Sequence, residues 1–307
     1  MEKAKPFAAL LLAMLIWGVT PVFMRSQSVG LGPADSLVIR YTPVALVWII
    51  VLALTGGCRI APRDWPRVLV VSLVGLSVYA VASVYGFAHV PAGIGGLIYA
   101  TPPLFIALLA VPILGERLTL SILIGLVLAI LGSVLLVWDD LTGAVLDLSY
   151  LSGILLLLLA CLAWAFYSVP GKVIFQRYGS LPMTAMSTII ATVPMLALAS
   201  SGTIDTVRNM TQRQWLEVLF LTTCSTFIAM FTWTYASAKL PAATTGLFLY
   251  LIPVIAVLSG VVILGETLTW STLLGGLCIV LGVAVAQFGP RLRWVRQRQN
   301  RSICEGR

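Results

Sequence analysis

The stretch Ile113-Leu114-Gly115-Glu116-Arg117-Leu118-Thr119 (ILGERLT) returns 150 residues later as Ile263-Leu264-Gly265-Glu266-Thr267-Leu268-Thr269 (ILGETLT). Each copy closes one long apolar run and opens the next. At the same offset, residues 85–132 and 235–282 are identical at 20 of 48 positions. Tyr85 meets Tyr235, Pro91 meets Pro241, Gly96 meets Gly246, Pro103 meets Pro253 and Gly132 meets Gly282. Further upstream Trp17 corresponds to Trp164 at a slightly smaller offset. The chain reads as a duplication in which each copy is about half of the protein.

The solvent of these halves follows from composition. Of the 307 residues, 60% are hydrophobic and 10% are charged, and the mean hydropathy is +1.03. A soluble domain carries about a quarter charged residues, so a lipid bilayer, not water, surrounds most of this chain. Five scattered cysteines make no disulfide framework and no metal-type spacing. Neither a metal nor another cofactor is expected. The net charge of +8 needs no nucleic-acid partner, because six of the 19 basic residues lie between Arg291 and Arg307 and the rest are spread through loops. Lys3 and Lys5 before an apolar run resemble a secretory signal. The run nevertheless continues through Ile16-Trp17-Gly18-Val19 without a cleavage pattern, and reads as a retained first membrane helix.

A helix needs about 20 apolar residues to cross the hydrocarbon core. Ten runs qualify: 7–24, 36–54, 67–88, 92–114, 118–138, 151–171, 182–201, 215–238, 242–264 and 268–288. Their continuity, without period-two alternation, excludes a β-barrel. The expected fold is therefore all-α and polytopic. A first five-helix repeat spans 1–138, a linker 139–150, a second repeat 151–288 and a basic tail 289–307. With a cytoplasmic N-terminus, fifteen Lys and Arg fall inside and four (Arg25, Arg40, Arg208 and Arg213) outside, which favours both termini in the cytoplasm. Five spans per half is an odd number, so the second half is inverted relative to the first. Glu116 then emerges inside and Glu266 outside.

Inverted repeats are characteristic of alternating-access carriers. The pattern running from Ala88 through Pro91-Ala92-Gly93, Gly96-Leu97-Ile98-Tyr99 and Pro103 to Leu114-Gly115-Glu116-Arg117-Leu118-Thr119 and Gly132 is echoed from Ala238 to Gly282. It resembles the EamA-type half of the drug/metabolite transporter superfamily, and the likeness covers residues 7–288. The resemblance implies a ten-helix carrier of a bacterial-type inner membrane, exporting amino acids, related metabolites or drugs.

Mid-span aromatics are candidates for lining a substrate cavity: Trp17, Tyr79, Tyr99, Trp164, Tyr167 and Tyr250. A ring with a polar edge offers an organic ligand contact area and a hydrogen bond; ordinary packing is the alternative for each. Pro102, Pro103 and Pro253 interrupt two apolar runs and free carbonyls that must find partners or line a wet cavity. Glu116 and Glu266 either favour the capped start of the following helix at Thr119 and Thr269 or serve as gate charges. Arg40 either snorkels to the outer interface or pairs with an acid or a substrate carboxylate. His89 and its repeat counterpart Lys239 border the third and eighth spans, His89 being a candidate pH-sensitive group. Ser121, Gly125, Ala129 and Ser133 form a small-residue stripe assigned to helix packing.

No Asp or Glu occupies the middle of a span, so proton coupling would have to use terminal groups such as Glu116, Glu266 or His89. The expected activity is secondary export of a small organic solute. A cationic-drug efflux carrier of the same fold is the nearest rival. A membrane-embedded lipid-modifying enzyme would need converging acids and histidines, yet there is one histidine and little acid clustering. No Gly-x-x-x-x-Gly-Lys-Ser/Thr loop is present, which excludes ATP drive by this chain.

Overall fold

The computed structural model describes residues 4–57, 59–99, 101–114, 120–136, 148–240, 245, 248–249, 251–265, 269–271, 273–278, 280–282 and 285. Among these, helices and turns are found and no strand. Helix α1 (Ala4–Leu31) meets α2 (Pro33–Leu54) through a single residue, Gly32, at φ +84°. That left-handed conformation suits glycine, and Pro33 sits at the start of a helix where its missing N–H is not needed. Helix α3 (Pro62–His89) opens with a 3₁₀ turn and carries a π-helical stretch, Val71–Ser77. Then come α4 (Ala92–Ile98), α5 (Pro102–Leu114) and α6 (Leu120–Leu136).

The second half repeats these devices. Helix α7 (Leu148–Tyr178) turns into α8 (Ser180–Leu196) through Gly179 alone, at φ +90°. Gly179 lies 147 residues after Gly32, the same spacing that separates Trp164 from Trp17. A short helix α9 (Ser201–Asn209) follows, and α10 (Gln212–Lys239) holds a π-helical stretch at Phe220–Ile228. Shifted by 150 residues, the π stretch of α3 falls inside that of α10. Helix α11 (Leu251–Ser259) ends in a π turn, Gly260–Leu264, and α12 covers 273–278.

Five of these helices are long and apolar enough to cross a membrane: Lys5–Leu31, Pro33–Leu54, Pro62–His89, Leu148–Tyr178 and Gln212–Lys239. Ser180–Leu196 joined to Ser201–Asn209 makes a sixth, bent by 108°. The chain is an all-α polytopic membrane protein. The expected link between the seventh and eighth spans is no simple loop, because α9 turns sideways there. Its capping box, in which Ser200 and Thr203 satisfy each other's backbone N–H, starts the helix. The expected fourth span is interrupted: helix stops at Ile98 and resumes at Pro102. The first span is longer than 7–24 because the Arg25 and Ser26 side chains find partners inside the protein, and the Gln27 carbonyl accepts from Ser36, as the helix continues to Leu31.

Packing follows the duplication. Helix α1 packs on the last turns of α10 and on α11, while its counterpart α7 packs on the last turns of α3 and on α5. Helix α2 packs on α8, and α4 packs on α11. Exchanging the halves converts α1 on α10 into α7 on α3 and α1 on α11 into α7 on α5, and returns α2 on α8 to itself, as a pseudo-twofold relation requires. Close approach is built from small residues: a methyl added at Gly96 would lie 2.1 Å from the Ala256 Cβ, and Gly86 and Gly153 face each other where α3 crosses α7.

Polar clusters sit at both ends of the bundle. At one, Asp64 at the start of α3 accepts hydrogen bonds from Arg177 Nη1 (2.8 and 2.6 Å) and from the Tyr178 hydroxyl at the end of α7, and that hydroxyl also accepts from Ala61 N at 3.2 Å. At the other, Asp35 accepts from Thr203 and Thr206 of α9, both at 2.6 Å, and Glu217 accepts from Ser26 (2.8 Å) and Arg213 (3.0 Å). Arg177 is half exposed and its charge is screened by solvent, so Asp64→Asn is expected to lower stability only slightly. A thermal melt of the detergent-purified protein checks this.

Candidate functional site: an aromatic seam between the halves

Trp17 of α1 and Trp164 of α7 occupy matching places in the two halves, and their rings meet edge to face, 5.2 Å apart at 86°. Tyr79 of α3 packs on Trp164 at 5.1 Å, and Tyr99 lies 6.3 Å beyond Tyr79. Trp233 of α10 completes the cluster, 5.5 Å from Trp17 and 5.8 Å from Trp164. In α1 the ladder is loosened here, because Pro21 has no N–H to give the Trp17 carbonyl.

Two chambers share Trp17, Tyr79 and Trp164 as walls. The first has about 430 Å³ of empty space, part of it open to solvent, and is completed by Thr20, Tyr99, Pro102, Cys161, Leu249 and Ile252. Tyr99 and Leu249 are repeat partners, as are Pro102 and Ile252, so this chamber straddles the pseudo-axis. The second, about 340 Å³, adds Arg40, Tyr41, Leu76, Thr188, Ser225, Thr226 and Met230. By residue count both lie near the middle of α1, α3, α7 and α10.

The broken fourth span explains one side of the first chamber. Ile98 O, freed by the stop before Pro102, accepts from Thr101 N at 2.9 Å and Thr101 Oγ1 at 2.8 Å, with Cys161 Sγ of α7 at 3.6 Å. The Tyr99 hydroxyl is held by Ser83 Oγ at 2.6 Å. The π stretch of α10 explains the polar wall of the second chamber. Thr226 Oγ1 bonds Leu221 O, five residues back, at 2.8 Å. Ser225 O accepts the Trp17 indole N–H at 3.2 Å, and Ser225 Oγ accepts from Thr20 at 2.9 Å. A π turn leaves carbonyls outside the regular ladder and turns side chains to new directions.

Arg40 completes that wall. It is 5% exposed, deep within α2, which rules out snorkelling to the interface. Its Nε donates to Thr226 Oγ1 at 2.7 Å and its Nη2 to Ser225 Oγ at a long 3.4 Å, and its guanidinium lies 5.1 Å from the Tyr41 ring centre.

Sequence reasoning placed Trp17, Tyr79, Tyr99, Trp164 and Pro102 here, and the structure brings them together. Pro103 is buried beside Pro102 in the first turn of α5 but is not a wall residue. Tyr167 does not line either chamber. Three residues after Trp164, it packs behind it against Phe175 (5.4 Å) and the Gly75 backbone. His89 and Lys239 are exposed helix-end residues away from the chambers; Lys239 bonds the Tyr235 hydroxyl at 3.0 Å over its ring. Glu116, Glu266 and Tyr250, and the side chain of Pro253, lie outside the described residues. Near the second copy of the opening motif, Gly265 ends its helix at φ +68°, and Thr269 O accepts the Leu273 N–H at the start of the next.

Thr188, Ser225, Thr226, Trp233 and Tyr41 were not found from sequence. The usable signal was the run Thr222-Thr223-Cys224-Ser225-Thr226, the densest hydroxyl cluster inside an expected span. Glu217 was also missed: it is a carboxylate 3% exposed at the start of α10, with one oxygen unpartnered among the described residues.

A family model described as the EamA-like transporter family matches residues 5–138 and 151–287. A probable terminal-alkyne amino-acid exporter of Streptantibioticus cattleyicolor is 28% identical, the match covering 92% of this chain and 93% of that protein. A probable amino-acid metabolite efflux pump of Salmonella typhimurium is 26% identical, over 95% of this chain and 98% of its own. An uncharacterized transporter of Archaeoglobus fulgidus is 26% identical over 92% and 98%. One solved crystal structure, 22% identical, covers 94% of this chain and 98% of its own at a TM-score of 0.65.

Proposed function

Because the chain belongs to the EamA-like transporter family, we propose that this membrane exporter carries small organic solutes, amino acids above all, by exposing the chambers between its halves alternately to the two sides of the bilayer. It is a transporter and not an enzyme. The observation that carries the mechanism is the set of contacts that exchange when the halves are exchanged. Two near-equivalent halves around a shared seam can adopt two states of comparable energy in which the halves exchange roles. The names of the relatives from Streptantibioticus and Salmonella support amino acids as the substrate class. Ten spans, with the second five inverted and both termini in the cytoplasm, belong to the same proposal.

Counterflow in proteoliposomes tests the carrier. Vesicles loaded with unlabelled amino acid should accumulate labelled amino acid transiently and saturably, whereas a pore would give only equilibration. Topology is tested separately, with single cysteines at 116 and 266 in a chain freed of its other cysteines. An impermeant maleimide added to intact cells should label 266 and spare 116. Labelling of both from one side would overturn the inverted arrangement.

Rival efflux of cationic drugs is disfavoured by the walls. No acidic side chain lines either chamber among the described residues, while a buried arginine does.

A further inference from the structure

The geometry points to Arg40 as the group that binds a substrate carboxylate, so that the second chamber selects solutes carrying that group; this rests on the exporter reading above. A guanidinium has five N–H donors and no state without charge in a protein. Burying one without a counter-ion is among the most expensive arrangements a membrane protein can hold. Here Nε is well satisfied by Thr226, Nη2 reaches Ser225 only at 3.4 Å, and Nη1 has no hydrogen-bond partner among the described residues. Neither does Arg40 make an ion pair among them. Each described acid has its partners elsewhere: Asp35 has Thr203 and Thr206, Asp64 has Arg177, Glu217 has Arg213 through Oε1, and Asp205 has Arg208. The positive charge therefore faces a chamber with its outer donors unspent.

The duplication adds an independent argument. Repeat partners supply the chamber's shape from both halves: Trp17 with Trp164, Tyr41 with Thr188, Leu76 with Thr226. Its charge comes from one half only, since the position matching Arg40 is Ser187. Scaffold needs are shared by both copies, and packing alone does not call for a cation in one of them. The hydroxyls of Ser225 and Thr226, which stand where the first half has Gly75 and Leu76, orient the guanidinium edge and leave its fork for a bidentate acceptor. The apolar body of the solute then lies along Trp17, Tyr79 and Trp164. An ammonium group, with no acid to meet, would be left to the faces of these rings.

The test uses the full chain in detergent and three probes of one shape: L-leucine, 4-methylpentanoate, which lacks the amino group, and 3-methylbutylamine, which lacks the carboxylate. Titrated thermal stabilisation should give comparable apparent Kd values for leucine and 4-methylpentanoate and at least about tenfold weaker binding of the amine. Arg40→Gln should weaken leucine about 10- to 100-fold, as expected for a lost charged hydrogen bond, and leave the amine unchanged. Arg40→Lys should fall between. Equal binding of amine and leucine, no binding of either carboxylate, or leucine affinity within twofold in the Arg40→Gln protein would each overturn the proposal. Should Arg40→Gln not fold, the wild-type panel still decides. Counterflow in vesicles remains the separate measure of the exporter reading, so a carrier that moves only amines would keep that reading and lose this one.

Discussion

Gly75→Ala is expected to abolish transport and to lower stability by about 1–3 kcal/mol, and trimming Tyr167 is not expected to rescue it. A Cβ at position 75 would lie 2.8 Å from the Tyr167 Cβ, 2.9 Å from its Cα and 3.0 Å from its backbone nitrogen. Two of those three atoms belong to the backbone of α7, so no rotamer change relieves the overlap. The helices must separate, and Trp164, one turn before Tyr167, moves with α7 away from Trp17. Gly95 is the contrasting case: the three atoms nearest an added Cβ there all belong to the Phe87 ring, the first being Cε1 at 2.1 Å. Gly95→Ala is therefore expected to be recovered by shortening Phe87 to leucine. Gly202→Ala in α9, where the nearest atom is Ser200 Oγ at 3.3 Å, serves as the near-neutral control. Thermal midpoints and counterflow of the single and double variants are the measurements. Recovery of Gly75→Ala by Tyr167→Thr would show that side-chain bulk, not backbone approach, sets the spacing.

The reason for the asymmetry lies in the repeat. Gly75 and Tyr167 touch where α3 crosses α7; their counterparts at the same offsets, Ser225 and Thr20, touch where α10 crosses α1 and share a hydrogen bond of 2.9 Å. One crossing is filled by a large ring against no side chain, the other by two hydroxyls. The close crossing positions the aromatic seam, and the hydroxyl crossing borders Arg40. A duplication that began with equal halves has divided its labour.

That division marks how far the amino-acid sequence could be read. Long apolar runs and the repeated Leu-Gly-Glu motif established an all-α membrane protein of two related halves, because bilayer thickness and duplication both write themselves into sequence over tens of residues. Trp17 and Trp164 were legible for the same reason, through the correspondence of the halves. Single polar residues inside a span are another matter. Whether Ser225, Thr226 or Thr188 faces lipid or a neighbour depends on helix rotation, and the π stretch in α10 alters that rotation locally in a way no 3.6-residue period reveals. Arg40 stood between two readings because an arginine seven positions into a helix is long enough to snorkel; only the contact with Thr226 decides. Tyr167 was misplaced since residues three apart on a helix are neighbours without sharing a partner. The sideways α9 escaped notice because its nine residues are too polar to resemble a span and too few to dominate a loop.

Trp17→Ala and Trp164→Ala should each reduce counterflow to less than about a tenth of wild type, a barrier change of at least about 1.4 kcal/mol, and the two losses should not add. Each ring walls both chambers, and each is the other's principal edge-to-face partner, an arrangement contributing about 0.5–1.5 kcal/mol beyond buried area. Removing either ring already removes the pair, so the double variant should be milder than the sum by about that amount. Trp17 has a second tie, its indole N–H to Ser225 O. Trp17→Phe should therefore lose activity where Trp164→Phe largely keeps it. The kinetic pattern separates two roles. Rings that only line the substrate would raise KM and leave the maximal rate intact. Rings that form the joint on which the halves rock would lower the maximal rate as well, because the substrate-independent reorientation step would carry the damage. With contacts to both α7 and α10, and a hydrogen bond to the π stretch that also carries the Arg40 partner Thr226, Trp17 is expected to show the second pattern. Additive losses, or a pure KM effect at both positions, would reduce the seam to a wall.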